Sequence, residues 1–224
     1  MEKRRLERIK SVLARRQPDL TLIADHVNNS RNLSAIIRSC EAVGIMEVHW
    51  VHSEPQKEFV AHSVSLGAEK WVKLTYHQDI KQLILGLKQK GYSIYAAHVG
   101  ENTVSYRTVD YTVPCAIIVG AERDGVSPEA MSLADKHIHI PMMGMTQSLN
   151  VSVAAAVILF EAQRQREAKG YYQQMRLSPE TYREILREWT NYQADEVFSP
   201  EDSLVLTTPS PTPTNPTGHP PDGF

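Results

Sequence analysis

Three polar stretches of this chain carry residues of the kinds that bind and transfer small groups. In the first, Asn28-Asn29-Ser30-Arg31-Asn32 is a turn-forming run that opens a helix through Leu33-Ser34-Ala35-Ile36-Ile37-Arg38-Ser39-Cys40. Arg38 is a permanent cation, able to orient a phosphate or stabilise a developing oxyanion. The plainer reading makes the asparagines turn and cap residues and Arg38 a solvated surface side chain. In the second, the apolar run Ile117-Ile118-Val119 ends in Gly120-Ala121-Glu122-Arg123-Asp124-Gly125-Val126-Ser127, two glycines bracketing a charged loop. The spacing has the outline of a phosphate-binding loop, yet Val126 stands where the lysine must be, so nucleotide binding of that kind is rejected. A plain tight turn remains the other reading. The third stretch runs from Ile138-His139-Ile140-Pro141 through Met142, Met143, Gly144 and Met145 to Ser148-Leu149-Asn150, where a helix rich in small residues begins. Its methionines are either core filler or the wall of a ligand site.

These stretches need elements to hold them. Short β-rich runs at Leu20–Ala24, Glu47–Val51, Trp71–Leu74, Tyr92–Ala97, Cys115–Val119 and Lys136–Ile140 alternate with helical patterns. The helical patterns fall at Asn32–Val43, Glu58–Leu66, Asp79–Lys88, Pro128–Ala134, Leu149–Gln165 and Pro179–Tyr192. Such alternation predicts an α/β fold, a mostly parallel sheet with helices on both faces. In such sheets ligands bind at the carboxyl ends of strands, which is where all three polar stretches fall.

Several chemistries are excluded. None of the eleven glycines forms a GxG pair, and there is no GxSxG or HExxH. Cys40 and Cys115 cannot build a disulfide framework, and no Cys/His spacing suits a metal, so a metal-free, reduced setting is expected. No apolar segment follows the opening charges, and the apolar run Val151–Phe160 is about half of what a membrane span needs. A cytoplasmic protein is the expectation.

The net charge of −2 over 224 residues hides an uneven distribution. Residues 1–16 hold seven bases (Lys3, Arg4, Arg5, Arg8, Lys10, Arg15, Arg16) against two acids, on a helix with an apolar stripe at Leu6, Ile9 and Leu13. Residues 195–224 hold five acids and no Lys or Arg. Seven of the thirteen prolines also fall after Phe198, which predicts a disordered tail over 199–224.

Taken in order, the three stretches resemble the three motifs of the SpoU class of RNA ribose methyltransferases, in the knotted SPOUT superfamily. The matching runs are N-x-x-R-N-L-S-A-I-I-R, I-V-G-A-E-x-x-G-V-S and I-P-M-x-G-M-x-Q-S-L-N-V-S-V-A-A-A. Arg15-Arg16-Gln17-Pro18-Asp19-Leu20-Thr21 and Glu161-Ala162-Gln163-Arg164-Gln165-Arg166 are similar to the branch that methylates guanosine 18 in the tRNA D-loop. The resemblance implies a catalytic domain over 19–170 with a deep trefoil knot in about 95–165, a basic helix over 1–18 and a helical extension over 171–198. It implies S-adenosylmethionine as methyl donor, held by Ala97, His98, Gly120, Glu122, Ile140, Met142, Ser148, Leu149 and Asn150. It makes Arg38 the catalytic residue with Asn32 holding the geometry, and Arg4, Arg5, Arg8, Arg15 and Arg16 the tRNA contacts. A homodimer through the knot and the Ala-rich helix at 149–165 is implied as well. One departure stands out: where the branch often carries His-Lys-Pro-His, this chain has Asn28-Asn29-Ser30-Arg31. A ribosomal-RNA substrate, or an RNA-binding protein without catalysis, are the alternatives.

Overall fold

The computed structural model describes residues 3–53, 65 and 67–190. Seven strands form one sheet: β1 (Leu20–Asp25), β2 (Glu47–Val51), β3 (Lys73–His77), β4 (Ser93–Ala97), β5 (Val104–Ser105), β6 (Cys115–Gly120) and β7 (Lys136–His139). Their order is β3-β2-β1-β6-β4-β7-β5, and every pairing between them is parallel. Parallel strands need crossovers, so helices cover both faces and the central strands read as unbroken apolar runs. All six residues of β1 and all six of β6 are buried.

The two-residue period sorts those side chains between two cores. Leu20, Leu22 and Ala24 with Cys115, Ile117 and Val119 face α2 (Ser30–Ala42) and α5 (Val151–Ala168). Ile23, Ala116 and Ile118 face α3 (Ile80–Gln89) and α4 (Pro128–Leu133). A third cluster joins α1 (Lys3–Leu13) to α6 (Pro179–Thr190) through Ile9, Leu13, Tyr182 and Leu186. Ser178 caps α6, its hydroxyl accepting the Thr181 N–H at 3.1 Å.

The structure moves some expected elements. β3 lies over Lys73–His77 rather than Trp71–Leu74, because Trp71 is drawn into the third cluster, edge-on to Trp189 at 5.0 Å. β5, two residues long, shows no alternation from which it could be read. The helix expected over Glu58–Leu66, apart from Ser65, and the tail over 199–224 lie outside the described residues.

Arg16, expected among the tRNA contacts, is instead turned away from solvent. Its side chain is wholly buried, its Nη1 donates to the Ile45 carbonyl at 3.0 Å and its Nη2 pairs with Glu41 at 3.0 Å. Its guanidinium also lies 5.2 Å from the Trp189 ring centre. The helix stops at Leu13, and the following turn swings Arg16 inward, where carbonyls, a carboxylate and an aromatic face replace water.

Candidate active site

The motifs converge at the carboxyl edge of the sheet. Asn29 caps α2, its side-chain oxygen accepting the Arg31 N–H at 2.9 Å, which fixes where the helix starts and puts Asn32 in its first turn. Asn150 caps α5 in the same way, its Oδ1 accepting the Ser152 N–H at 2.9 Å. With that oxygen engaged, the Asn150 amide must offer its N–H groups outward, and Nδ2 donates to Asn32 Oδ1 at 3.3 Å. Asn32 Nδ2 in turn donates to the Glu122 carboxylate, which can only accept. A hydrogen-bond chain of one polarity therefore joins residues from all three motifs.

Below this chain lies a cavity of about 530 Å³. Nine residues expected to hold a donor surround it: Ala97 and His98 after β4, Gly120 and Glu122 after β6, Ile140 and Met142 after β7, and Ser148, Leu149 and Asn150 before α5. Arg123, His139 and Gln147 line it as well; all three fall within the polar stretches, Gln147 inside the third motif itself, but none is among the expected site residues. The β6 loop folds back on itself, Ala121 and Gly125 exchanging N–H···O bonds of 3.0 and 2.9 Å. A Cβ at Gly120 would collide with the backbone of Gly125 and Val126, so that position demands glycine. Gly120→Ala is expected to weaken binding in this cavity by more than about tenfold and to lower the melting temperature. Titration calorimetry with S-adenosylmethionine and a thermal melt check both.

Arg38 stands apart. It is exposed on α2 and does not line the cavity. On a regular helix, six residues place it on a different face from Asn32. Arg4, Arg5 and Arg8 are exposed along α1, and Arg15 is half-buried.

Asp25 is a residue that sequence reasoning misses. It is fully buried at the end of β1, where its Oδ2 accepts the Ser127 N–H at 2.7 Å and its Oδ1 meets His26 Nδ1 at 2.6 Å. The available signal is an acid closing an otherwise apolar strand. A second cavity, of about 850 Å³, lies between β2, β3 and α3, with His49 and His77 on its wall. Burial, as the main cause, pushes the His49 imidazole down to about 4, so it stays neutral. Among the described residues no three His, Cys, Asp or Glu side chains form a metal-binding group. No described helix is long and apolar enough to cross a membrane.

Residues 19–160 match the SpoU rRNA methylase family, and residues 164–193 match the SpoU rRNA methylase C-terminal family. The chain is 50% identical over 185 residues to a tRNA (guanosine(18)-2′-O)-methyltransferase of Thermus thermophilus, covering 83% of this chain and 95% of that protein. Among solved structures, the TrmH/SpoU tRNA modifying enzyme of Aquifex aeolicus superposes with a TM-score of 0.81 at 44% identity, covering 88% of this chain and 98% of that one. An AdoMet-bound rRNA methyltransferase of Sinorhizobium meliloti superposes with a TM-score of 0.60 at 26% identity, covering 69% and 59% respectively.

Proposed function

This chain belongs to the SpoU methylase family, and we propose that it transfers the methyl group of S-adenosylmethionine to the ribose 2′-hydroxyl of guanosine 18 in tRNA. The observation that carries this reading is identity of 50% across 95% of an enzyme named for that reaction. The expected motif residues surrounding one cavity support it independently.

The cavity fits the donor. Its volume lies in the range of small-molecule sites, and the glycine-tight turn at Gly120 lets backbone groups approach a ligand closely. When bound, the donor supplies an electrophilic sulfonium methyl. What remains for the protein is to place the hydroxyl in line and to accommodate the charge as its proton leaves. Gly120, Ile140, Met142, Ser148 and Leu149 hold the donor, with Ala97 and His98 closing the wall. The Asn150–Asn32–Glu122 chain fixes the mouth of the cavity through its single polarity. Arg38, a cation at any cellular pH, holds a substrate phosphate and stabilises the developing alkoxide rather than acting as an ordinary base.

The chain is knotted within about 95–165, works in the cytoplasm and forms a homodimer through α5. The dimer is supported by Val153 and Phe160, both about half exposed and seven residues apart on one face of that helix. The tRNA backbone is gripped by Arg4, Arg5 and Arg8 on the outer face of α1, with Arg15 at its end. Changing Arg4, Arg5 and Arg8 together to Ala should raise KM for tRNA and leave kcat at saturation unchanged. The log–log salt dependence of binding should fall by on the order of one unit for each phosphate that the protein no longer neutralises. Filter binding across a salt series measures it.

The function itself is tested by incubating the protein with labelled donor and unmodified tRNA and mapping the modified nucleotide. Label at the guanosine 18 ribose is expected, with none on a tRNA carrying 2′-deoxyguanosine there. Label elsewhere, or none, overturns the proposal.

A further inference from the structure

At the end of β1, the strand paired with β6 whose loop lines the donor cavity, one residue has no assigned task. His26 has φ +53°, a left-handed backbone that a residue other than glycine adopts at a cost in free energy. Its N–H donates to the Val51 carbonyl at 2.9 Å, so the turn is locked into the sheet. Strain of this kind persists only where the surroundings over-determine it, and it gathers at functional sites.

The imidazole is oriented from below. Asp25, fully buried, holds Nδ1 at 2.6 Å with one oxygen and accepts the Ser127 N–H at 2.7 Å with the other. The same carboxylate thus ties His26 to the β6 loop that lines the cavity, and β1 and β6 run in register there, Asp25 opposite Gly120. A carboxylate only accepts, so Nδ1 carries a proton and Nε2 is left facing outward. The side chain is 41% exposed, and among the described residues no hydrogen-bond partner meets Nε2. Its other ring neighbour is His52, 6.2 Å away between centroids. A ribose 2′-hydroxyl both donates and accepts, so it can pair with Nε2 whichever role the nitrogen takes.

We propose that His26, aimed by buried Asp25, positions the substrate by a hydrogen bond between Nε2 and a ribose hydroxyl of the tRNA near the target nucleotide. This rests on the tRNA methyltransferase reading above, and the test separates the two.

His26→Gly and His26→Asn both suit a left-handed backbone; His26→Gly also leaves buried Asp25 without its Nδ1 partner, so the two variants are read together. Both variants should raise KM for tRNA by about five- to tenfold, the effect of one hydrogen bond. kcat at saturating tRNA should stay within about twofold with donor affinity not reduced, and a fall in melting temperature should be larger in His26→Gly than in His26→Asn, whose side-chain amide still offers Asp25 a donor. Single 2′-deoxy substitutions in the nucleotides flanking the target should include one that raises KM for the parent protein and adds nothing in His26→Gly. An unchanged KM overturns the proposal, as does a fall in kcat alone or a 2′-deoxy series that is additive throughout. Failure of the parent protein to methylate tRNA would instead overturn the functional reading.

Discussion

Arg38→Ala is expected to reduce methyl transfer by on the order of 10²–10³-fold in kcat, the usual loss when a group that stabilises transition-state charge is removed. Donor affinity should stay within about twofold, because Arg38 is exposed on α2 and lines no part of the cavity. The melting temperature should hold for the same reason, since an exposed side chain is removed from a helix that alanine favours. Arg38→Lys separates charge from shape: the cation is kept, the planar two-pronged donor is lost, and recovery should be partial. Single-turnover rates at saturating donor and tRNA, beside calorimetric donor binding, distinguish these outcomes. Turnover in Arg38→Ala close to that of the parent would remove the residue from the chemistry.

The largest effect on stability is expected at Asp19, just before β1. Its carboxylate takes Arg166 Nη1 and Arg176 Nη1 at 2.6 Å each, and Arg176 Nη2 at 2.8 Å. Arg166 is completely buried on α5 and also donates to the carbonyls of Tyr111 and Val113, at 2.8 and 3.0 Å. Asp19→Ala leaves that guanidinium with no counter-charge in a site closed to water. The cost of breaking such a pair is about 3–5 kcal/mol, and the partial exposure of Asp19 places the expectation at the lower end. Denaturant unfolding measures it. Asp19→Asn, which keeps the shape and one acceptor, should lose less.

The same group sets part of the acid limit. Burial, the largest single influence, pushes the Asp19 carboxyl up, but hydrogen bonds and charge from Arg176 and Arg166 outweigh it and hold it below the ordinary range. A depressed carboxyl contributes stability that is complete above its unfolded value of about 3.9 and is lost as pH falls through the folded value. His49 acts earlier, since its imidazole at about 4 lies below the ordinary 6.5 and the unfolded chain gains that proton first. Stability should therefore start to fall below about pH 6.5 and fall again below about pH 4. Asp19→Asn should flatten only the second step.

Structure is most legible in this sequence where the cause is local. The nearly unbroken apolar runs Leu20–Ala24 and Cys115–Val119 mark strands covered on both faces, and both segments are central strands. Cap chemistry is equally short-ranged: Ser127 caps the helix expected from Pro128, while Asn29 and Asn150 move the starts expected at Asn32 and Leu149 to Ser30 and Val151 by bonding N–H groups two or three residues on. The three motifs are legible for the same reason, each lying in one continuous run.

What escapes is every choice among distant polar partners. Arg4, Arg5, Arg8 and Arg16 belong to one basic run, yet three face outward and Arg16 is sealed against Glu41 and Trp189. Arg166 finds Asp19 across 147 residues, and Asn150 finds Asn32 across 118. Composition and spacing thus determined that this chain forms a parallel α/β sheet with three polar loops at strand ends. Tertiary structure alone decided which charges are buried, which way the Asn150–Asn32–Glu122 chain points, and that Asp25 aims His26. The reason is physical: direction along a strand or helix repeats with the backbone, whereas a buried polar atom must take whatever partner the folded chain brings within about 3 Å.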